Sequence, residues 1–144
     1  MAKIIAVCTS ENKGTQKTPQ AFIDLIVDHG IKGDAHAGNW HRQVSLLSFE
    51  KIEAFKAKGI DLENGAFGEN IIVAGIDLSD LPVGTILKAG TVTMEVTQIG
   101  KACHQHCAIY HKVGDCIMPR EGIFAKVIAA GRLKAGDEIY VEAK

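Results

Sequence analysis

The hydrophobic pattern of this chain consists of short apolar runs separated by polar stretches that contain glycine. Lys3–Thr9 is an apolar, β-branched run and Val44–Leu47 is a shorter one, and both are typical of buried strands. Thr91–Ile99 alternates valine and methionine with threonine and glutamate, which is the period of a half-buried strand. Phe124–Ala130 fits a strand or a helix by its pattern alone, and the glycines on both sides favour a strand. The pattern predicts a mainly β chain.

One segment shows helical periodicity instead. Phe49, Ile52 and Phe55 recur at the spacing of a single helix face. Ser48 stands at the N-cap position before them, and the glycine that follows the segment can end a helix in the left-handed conformation. We therefore predict a helix over Phe49–Lys58 whose apolar face packs on the sheet.

Polar stretches with glycine lie between the predicted elements. Fifteen glycines against three prolines indicate many short elements joined by tight turns. Glu11–Gln20 is polar, and we expect it to form an exposed loop. Phe22–Val27 is a further apolar run, and Asp28–Gly38 after it combines glycines, charged residues and two histidines. That combination is again typical of a loop.

Composition and charge narrow the function classes. The 144 residues suit one domain, residues 1–144, because single cores usually run to roughly 100–200 residues. The 16 basic and 17 acidic residues nearly cancel, so the positive field that drives non-specific nucleic-acid binding is missing. No apolar run approaches the ~20 residues that span a bilayer, and the apolar stretch at the N-terminus is too short for a secretory signal. We expect a cytoplasmic protein without a nucleic-acid or membrane partner.

The densest chemical segment, residues 100–116, holds three of the four cysteines and three of the six histidines. Lysine and histidine side chains near Cys103 and Cys107 supply positive charge, which lowers a thiol pKa and favours the reactive thiolate. Zinc is the weaker alternative, because the C-x₃-C spacing lacks the second ligand pair that closes a structural site. A third interpretation treats the thiols as small buried hydrophobes, and we prefer it for Cys8, inside an apolar strand.

A second candidate site combines the glycines around His36 with Arg42. Backbone N–H groups of glycine loops bind anions, and an arginine offers a planar fork to phosphate or carboxylate. Plain turns, and an arginine stacked on its aromatic neighbour, are the alternatives. Asn70 closes a third glycine-flanked segment, where it either recognises a ligand or bonds its own backbone. Arg120 precedes a predicted strand and is either an anion ligand or part of a solvated charge pair.

Six motifs stand in order along the chain: Gly33-Asp34-x-His36-x-Gly38, Arg42–Leu47, Gly65–Asn70, Leu81–Gly84, Gly100-Lys101-x-Cys103-His104-x-x-Cys107 and Gly114–Phe124. Together they resemble the MOSC domain, the module found at the C-terminus of molybdenum-cofactor sulfurases. The resemblance extends from about the first strand to Ile139 and points to a small stand-alone member of bacterial type.

The resemblance implies a closed, barrel-like, mainly β domain with one or more short helices that binds molybdenum cofactor (molybdopterin). It also implies a cysteine that either carries sulfur or coordinates molybdenum. Cys103 and Cys107 compete for these roles, since the C-x₃-C spacing departs from the patterns of the relatives. The cofactor-binding residues implied by the matching motifs are His36, Arg42, Asn70, His104 and Arg120.

The function implied is cofactor maturation, sulfur transfer or delivery through the reactive cysteine. The chain carries no pyridoxal-binding sulfurase domain, so we expect a sulfur donor or an electron-transfer protein as its partner. A molybdenum-dependent reductase of N-hydroxylated compounds keeps the same site and is the first alternative. A zinc-binding or non-catalytic scaffold domain is the second.

Overall fold

Backbone hydrogen bonds arrange the chain into a mainly β fold in a computed structural model. The structure describes residues 2–11, 17–35, 37–40, 42–57, 65, 69–99 and 122–142. The elements are β1 (Lys3–Thr9), β2 (Thr18–Pro19), β3 (Ile23–Ile26), β4 (Gly30–Ile31), β5 (Val44–Ser48), α1 (Phe49–Lys56), β6 (Ile71–Ala74), a 3₁₀ turn (Leu78–Asp80), β7 (Ile86–Ala89), β8 (Val92–Ile99), β9 (Ile123–Ala129), β10 (Gly131–Leu133) and β11 (Tyr140–Val141).

The strands form one large sheet and one small sheet. The large sheet has the order β11-β7-β8-β9-β5-β6-β1-β2, and the small sheet has the order β10-β3-β4. Within the described residues, β5 and β6 are the parallel pair and the other pairs are antiparallel. Parallel neighbours need a crossover connection. The α1 helix lies in that connection and contacts both β5 and β6.

The large sheet curls strongly into a half-barrel. The last described segment links its two sides. The Ile4 N–H donates to the Asp137 carbonyl at 2.8 Å, and the Gly136 N–H donates to the Ile4 carbonyl at 2.7 Å. A few residues later, Tyr140 and Val141 pair with β7. The prediction of a barrel-like β domain is confirmed, although the described strands stop short of a closed barrel.

The hydrophobic core fills the inside of this curl. In β8, Val92, Met94 and Val96 are buried, and the residues between them are half-buried. This is the alternation that a strand with one face on the core requires. β5 is buried along its whole length, because it is flanked by strands on both sides and contacts α1. Other core residues include Ile4, Leu25, Leu46, Ile71, Leu87 and Val127.

Most of the predicted strands are present. Lys3–Thr9, Val44–Leu47, Thr91–Ile99 and Phe124–Ala130 correspond to β1, β5, β8 and β9. Each of these predictions is confirmed to within a residue at either end. Phe22–Val27 contains β3.

The predicted helix is confirmed in part. α1 ends at Lys56, and residues 58–60 lie outside the described part of the chain. Ser48 is the last residue of β5 and was expected to cap the helix. Its hydroxyl instead donates to the Ile76 carbonyl at 3.0 Å and accepts the Leu78 N–H at 3.1 Å. The N-cap prediction was therefore wrong, because this hydroxyl is committed to the turn that follows β6.

The contact between Gly30 and Gln43 gives a test of how the two sheets pack. Gly30 has a φ of +109°, and a Cβ there would lie 2.7 Å from the Gln43 carbonyl oxygen. We expect Gly30→Ala to lower the free energy of unfolding by about 3 kcal/mol, since backbone strain and overpacking add together. Gly90 has a φ of +59° and open space around it, so Gly90→Ala should cost only about 1 kcal/mol. Urea unfolding of both variants measures the difference, and equal costs would contradict the close packing.

Candidate functional site

Arg42 is held in one orientation just before β5. Its Nε–H donates to the Gln98 side-chain oxygen at 3.0 Å. The guanidinium carbon lies 5.4 Å from the centre of the Phe124 ring and 6.0 Å from that of Trp40. A guanidinium near an aromatic face gains cation–π attraction, which restricts the orientation of its plane. The structure thus places a half-buried cation of restricted orientation at the start of β5.

The sheet order explains why these side chains meet. β9 lies between β5 and β8. In register, Phe124 is opposite Ser45 on one side and Gln98 on the other. Arg42 therefore reaches from the start of β5 across the middle strand to β8. Of the candidate cofactor-binding residues, Arg42 and Asn70 lie within the described part of the chain.

The connection between β8 and β9 begins and ends beside these supports. β8 ends at Ile99, β9 begins at Ile123, and the two residues pair across the strands. Gln98 and Phe124 stand next to them in the same register. The intervening residues 100–121 lie outside the described part of the chain, and so does His36. The roles expected for five candidate residues therefore remain predictions. These residues are Cys103, His104, Cys107, Arg120 and His36.

Asn70 cross-links strands from a fully buried position. Its side-chain oxygen accepts the N–H of Ser45 at 2.9 Å and the hydroxyl of Ser45 at 3.0 Å. Its side-chain nitrogen donates to the Cys8 carbonyl at 3.0 Å. Asn70 is 0% exposed, so these contacts join the start of β6 to both β5 and β1. These contacts of Asn70 are structural. A direct contact between Asn70 and a cofactor remains a prediction.

A buried ion pair lies among the same segments, and the sequence analysis missed it. Lys17 Nζ lies 2.8 Å from Asp34 Oδ1, and both side chains are 0% exposed. The expectation that Glu11–Gln20 is an exposed loop was therefore wrong at Lys17, whose ammonium is neutralised inside the protein, and at Thr18–Pro19, which form β2. Residues 12–16 lie outside the described part. In the sequence, the available sign that Asp34 is important was its place in the Gly33–Gly38 motif.

Burial also sets the chemistry of Cys8. It raises the pKa of the Cys8 thiol to about 12, with the Glu69 carboxylate acting in the same direction and Lys17 opposing. Burial likewise lowers the pKa of Lys17, and its hydrogen bond with Asp34 opposes that change. The interpretation of Cys8 as a small buried hydrophobe is confirmed, since it is 0% exposed. A thiol with such a pKa is not a nucleophile at neutral pH.

Two further classes of site are absent from the described ranges. No group of three or more histidine, cysteine or acidic side chains that could hold a metal ion occurs there. The cysteine and histidine residues of 100–116 are outside those ranges. No helix of the described part is long and apolar enough to cross a membrane.

The order of motifs and the fold agree with one family. Residues 33–140 match the family model described as the MOSC domain. The chain belongs to the MOSC domain family. The resemblance that the motifs carry is therefore confirmed, and the MOSC domain accounts for most of the chain's length.

Solved structures of bacterial proteins have the same fold. The YuaD protein of Bacillus subtilis superposes with a TM-score of 0.79 at 21% identity, covering 96% of this chain and 94% of that protein. YiiM of Geobacillus stearothermophilus gives 0.75 at 20% identity, covering 99% and 76%. YiiM of Escherichia coli gives 0.72 at 18% identity, covering 100% and 71%. These likenesses establish the MOSC fold. Comparison with curated proteins gives no significant match.

Removing the Asn70 side chain should destabilise the protein more than most polar substitutions. Asn70→Ala leaves the Ser45 N–H and the Cys8 carbonyl buried without these partners, and we expect a loss of about 3 kcal/mol in the free energy of unfolding. Ser79→Ala removes an exposed hydrogen bond to Asp77 and should cost about 0.5 kcal/mol or less. Urea unfolding compares the two. A small effect at Asn70 would contradict its cross-linking role.

Cys8 should resist alkylation as long as the protein is folded. Its thiol is fully buried and its pKa is raised to about 12, so iodoacetamide at pH 8 should leave the Cys8 peptide unmodified in native protein. In urea the same peptide should be labelled completely. Peptide mapping by mass spectrometry separates Cys8 from the other cysteines. Labelling of Cys8 in native protein at a rate similar to that in urea would refute the assignment.

Proposed function

We propose that this MOSC domain binds a molybdopterin-type cofactor and acts in cofactor maturation, sulfur transfer or delivery through Cys103 or Cys107. The observation that carries the proposal is the oriented guanidinium of Arg42, beside the two strand ends from which the 100–121 connection leaves and to which it returns. One cationic group therefore lies next to the ends of the segment that contains the thiols. A phosphorylated, metal-carrying pterin needs both kinds of group.

Arg42 fits the anionic end of such a cofactor. Within the described residues, its Nε–H is the guanidinium group that donates, and the acceptor is Gln98. The two terminal NH₂ groups therefore form the edge of the guanidinium that faces a ligand, and this edge matches two oxygens of a phosphate. The cation–π contact with Phe124 helps to fix the orientation of that edge. We propose that His36 and Arg120 add to the same anion site.

The soft donor must come from a thiol other than Cys8. Cys8 is buried and remains protonated at neutral pH. Cys103 and Cys107 have lysine and histidine neighbours in sequence, which favour a thiolate. We propose that one of them carries sulfur or binds the metal, with His104 at the cofactor. The bound cofactor supplies a molybdenum centre for redox or sulfur chemistry, and the protein supplies the thiolate and the anion site.

Partners follow from this chemistry. A cysteine that carries sulfur needs a sulfur donor to load it, and a reductase needs an electron-transfer protein. We propose a donor of one of these two kinds as the partner, in the cytoplasm. The oriented Arg42 serves either role equally, so the thiol and activity measurements distinguish a sulfur carrier from a reductase of N-hydroxylated compounds.

The test compares cofactor occupancy in matched arginine variants. The protein and its variants are purified from cells that make the cofactor, and molybdenum content and pterin fluorescence are measured. We expect Arg42→Gln to lower occupancy about tenfold or more, as a charged hydrogen-bonded fork is lost. Arg132 also lies over an aromatic ring, that of Phe22 at 3.9 Å, but is paired with Asp24. Arg132→Gln should leave occupancy within about twofold.

The thiol role is read from the same preparations. After incubation with a cysteine desulfurase, a mass increase of one sulfur that disappears in Cys103→Ala or Cys107→Ala identifies the sulfur carrier. Reduction of an N-hydroxylated base analogue with an artificial electron donor identifies the reductase instead. Zinc in place of molybdenum, or equal occupancy in Arg42→Gln and Arg132→Gln, would refute the proposed cofactor site.

A further inference from the structure

Lys17 and Asp34 form an ion pair that the proposed function does not use. Both side chains are completely shielded from solvent, and Nζ and Oδ1 are 2.8 Å apart. A buried pair of this kind contributes little net stability, because desolvation of the two charges offsets their attraction. Its main consequence is geometric. An ammonium inside a protein needs acceptors in fixed directions, so the segments that supply those acceptors are held in place.

The acceptors around Lys17 come from separate parts of the chain. Nζ donates to Asp34 Oδ1 and to the Ser10 hydroxyl at 3.1 Å. The Ser10 N–H donates to the same Asp34 oxygen at 3.1 Å. The Ala35 N–H donates to the Ser10 carbonyl at 2.8 Å. The ion pair therefore closes a compact ring that ties the Asp34 segment to the residue after β1.

The backbone of Lys17 holds a further segment. Its N–H donates to the Gly65 carbonyl at 2.8 Å, and the Gly65 N–H donates to the buried Glu69 carboxylate at 3.2 Å. Gly65 has a φ of +92°, and a β-carbon there would collide with the Lys17 carbonyl. Asn70, next along the chain, binds β5 and β1. Both glycine-rich motifs singled out in the sequence thus meet at Lys17.

These two motifs flank Arg42. The segment that starts at Asp34 continues through Gly38 and Trp40, where the Gly38 carbonyl accepts the Trp40 N–H at 3.0 Å, and reaches Arg42. On the far side of Arg42, Ser45 is bound by Asn70. The Asp34 segment therefore leads along the chain to Arg42. The Gly65–Asn70 segment contacts β5, which follows Arg42, through the Asn70 side chain.

We infer that Lys17 is a positioning residue for the cofactor site: its buried ammonium holds the Asp34 segment, and its backbone N–H holds Gly65, in the arrangement that aims Arg42. This inference rests on the proposed function, since it deepens the account of the same site. It predicts that removing both charges together impairs binding without unfolding the protein.

The decisive variant is Lys17→Met with Asp34→Asn. Lys17→Met alone removes the cation beside the buried Asp34 carboxylate and should lower the urea midpoint. The double variant removes both charges of the pair, the Glu69 carboxylate keeps its hydrogen bond from the Gly65 N–H, and the amide oxygen introduced at position 34 still accepts the Ser10 N–H. We expect the double variant to keep a midpoint near that of the wild type but to lose cofactor occupancy about tenfold. Amide exchange at Ala35 and Ala37 should accelerate by about tenfold in the same variant.

A matched control is the exposed pair of Arg132 and Asp24, whose atoms are also 2.8 Å apart. Arg132→Gln with Asp24→Asn removes a pair of equal length that lies on the small sheet, and occupancy and exchange at Ala35 should both stay within about twofold of the wild type. If Lys17→Met with Asp34→Asn fails to fold, Ser10→Ala removes one acceptor of the ammonium, and its occupancy and exchange should change in the same direction.

The outcomes separate this inference from the proposed function. If the wild type takes up cofactor and the double variant takes up the same amount, the positioning role is overturned and the proposed function stands. A wild-type protein that takes up no cofactor would refute the proposed function. In that case amide exchange alone decides the positioning role: acceleration at Ala35 and Ala37 supports it, and unchanged exchange overturns it.

Discussion

The amide of Asn70 satisfies buried polar groups of two other strands at the point where β6 begins. Buried polar groups must be paired, so β1, β5 and β6 have one register in which the Cys8 carbonyl and the Ser45 N–H both reach that amide. β5 in turn sets the position of β9, and β9 sets the position of β8. The aromatic and amide supports of Arg42 lie on these last two strands. The buried contacts of Asn70 therefore help to place the strands that support the cation.

The site combines two electrostatic arrangements with different purposes. Lys17 and Asp34 neutralise each other inside the protein, where neither is available to a ligand. Among the described residues, Arg42 is instead paired with a neutral amide and with aromatic rings. A carboxylate partner would cancel its charge, as Asp24 does for Arg132. A neutral partner orients the guanidinium and leaves its charge for an anion, which is the property that a phosphate site requires.

Local patterns predicted the strands well because one physical cause dominated each of them. β8 alternates between core and surface, so its period is visible in the residues. Ser48 was misassigned because its hydroxyl binds a turn that lies far along the chain. Lys17 escaped prediction for the same reason: a lysine in a polar stretch is normally exposed, and its burial depends on Asp34, which only the tertiary structure brings near. Arg42 was predicted as a site residue, whereas its dependence on Gln98 is a property of the sheet order.

Residues 136–142 hydrogen-bond to the first strand and then pair with β7. Lys3 and Glu138 are bridged partners that lie far apart along the chain. Closing a loop of that length carries a large entropy cost, and proteins rich in such distant pairings fold slowly. During synthesis, the Lys3–Ile4 end of β1 can pair with β6 but lacks the contacts from residues 136–139 until that late segment has emerged. The sheet of a nascent chain therefore stays incomplete until this segment leaves the ribosome.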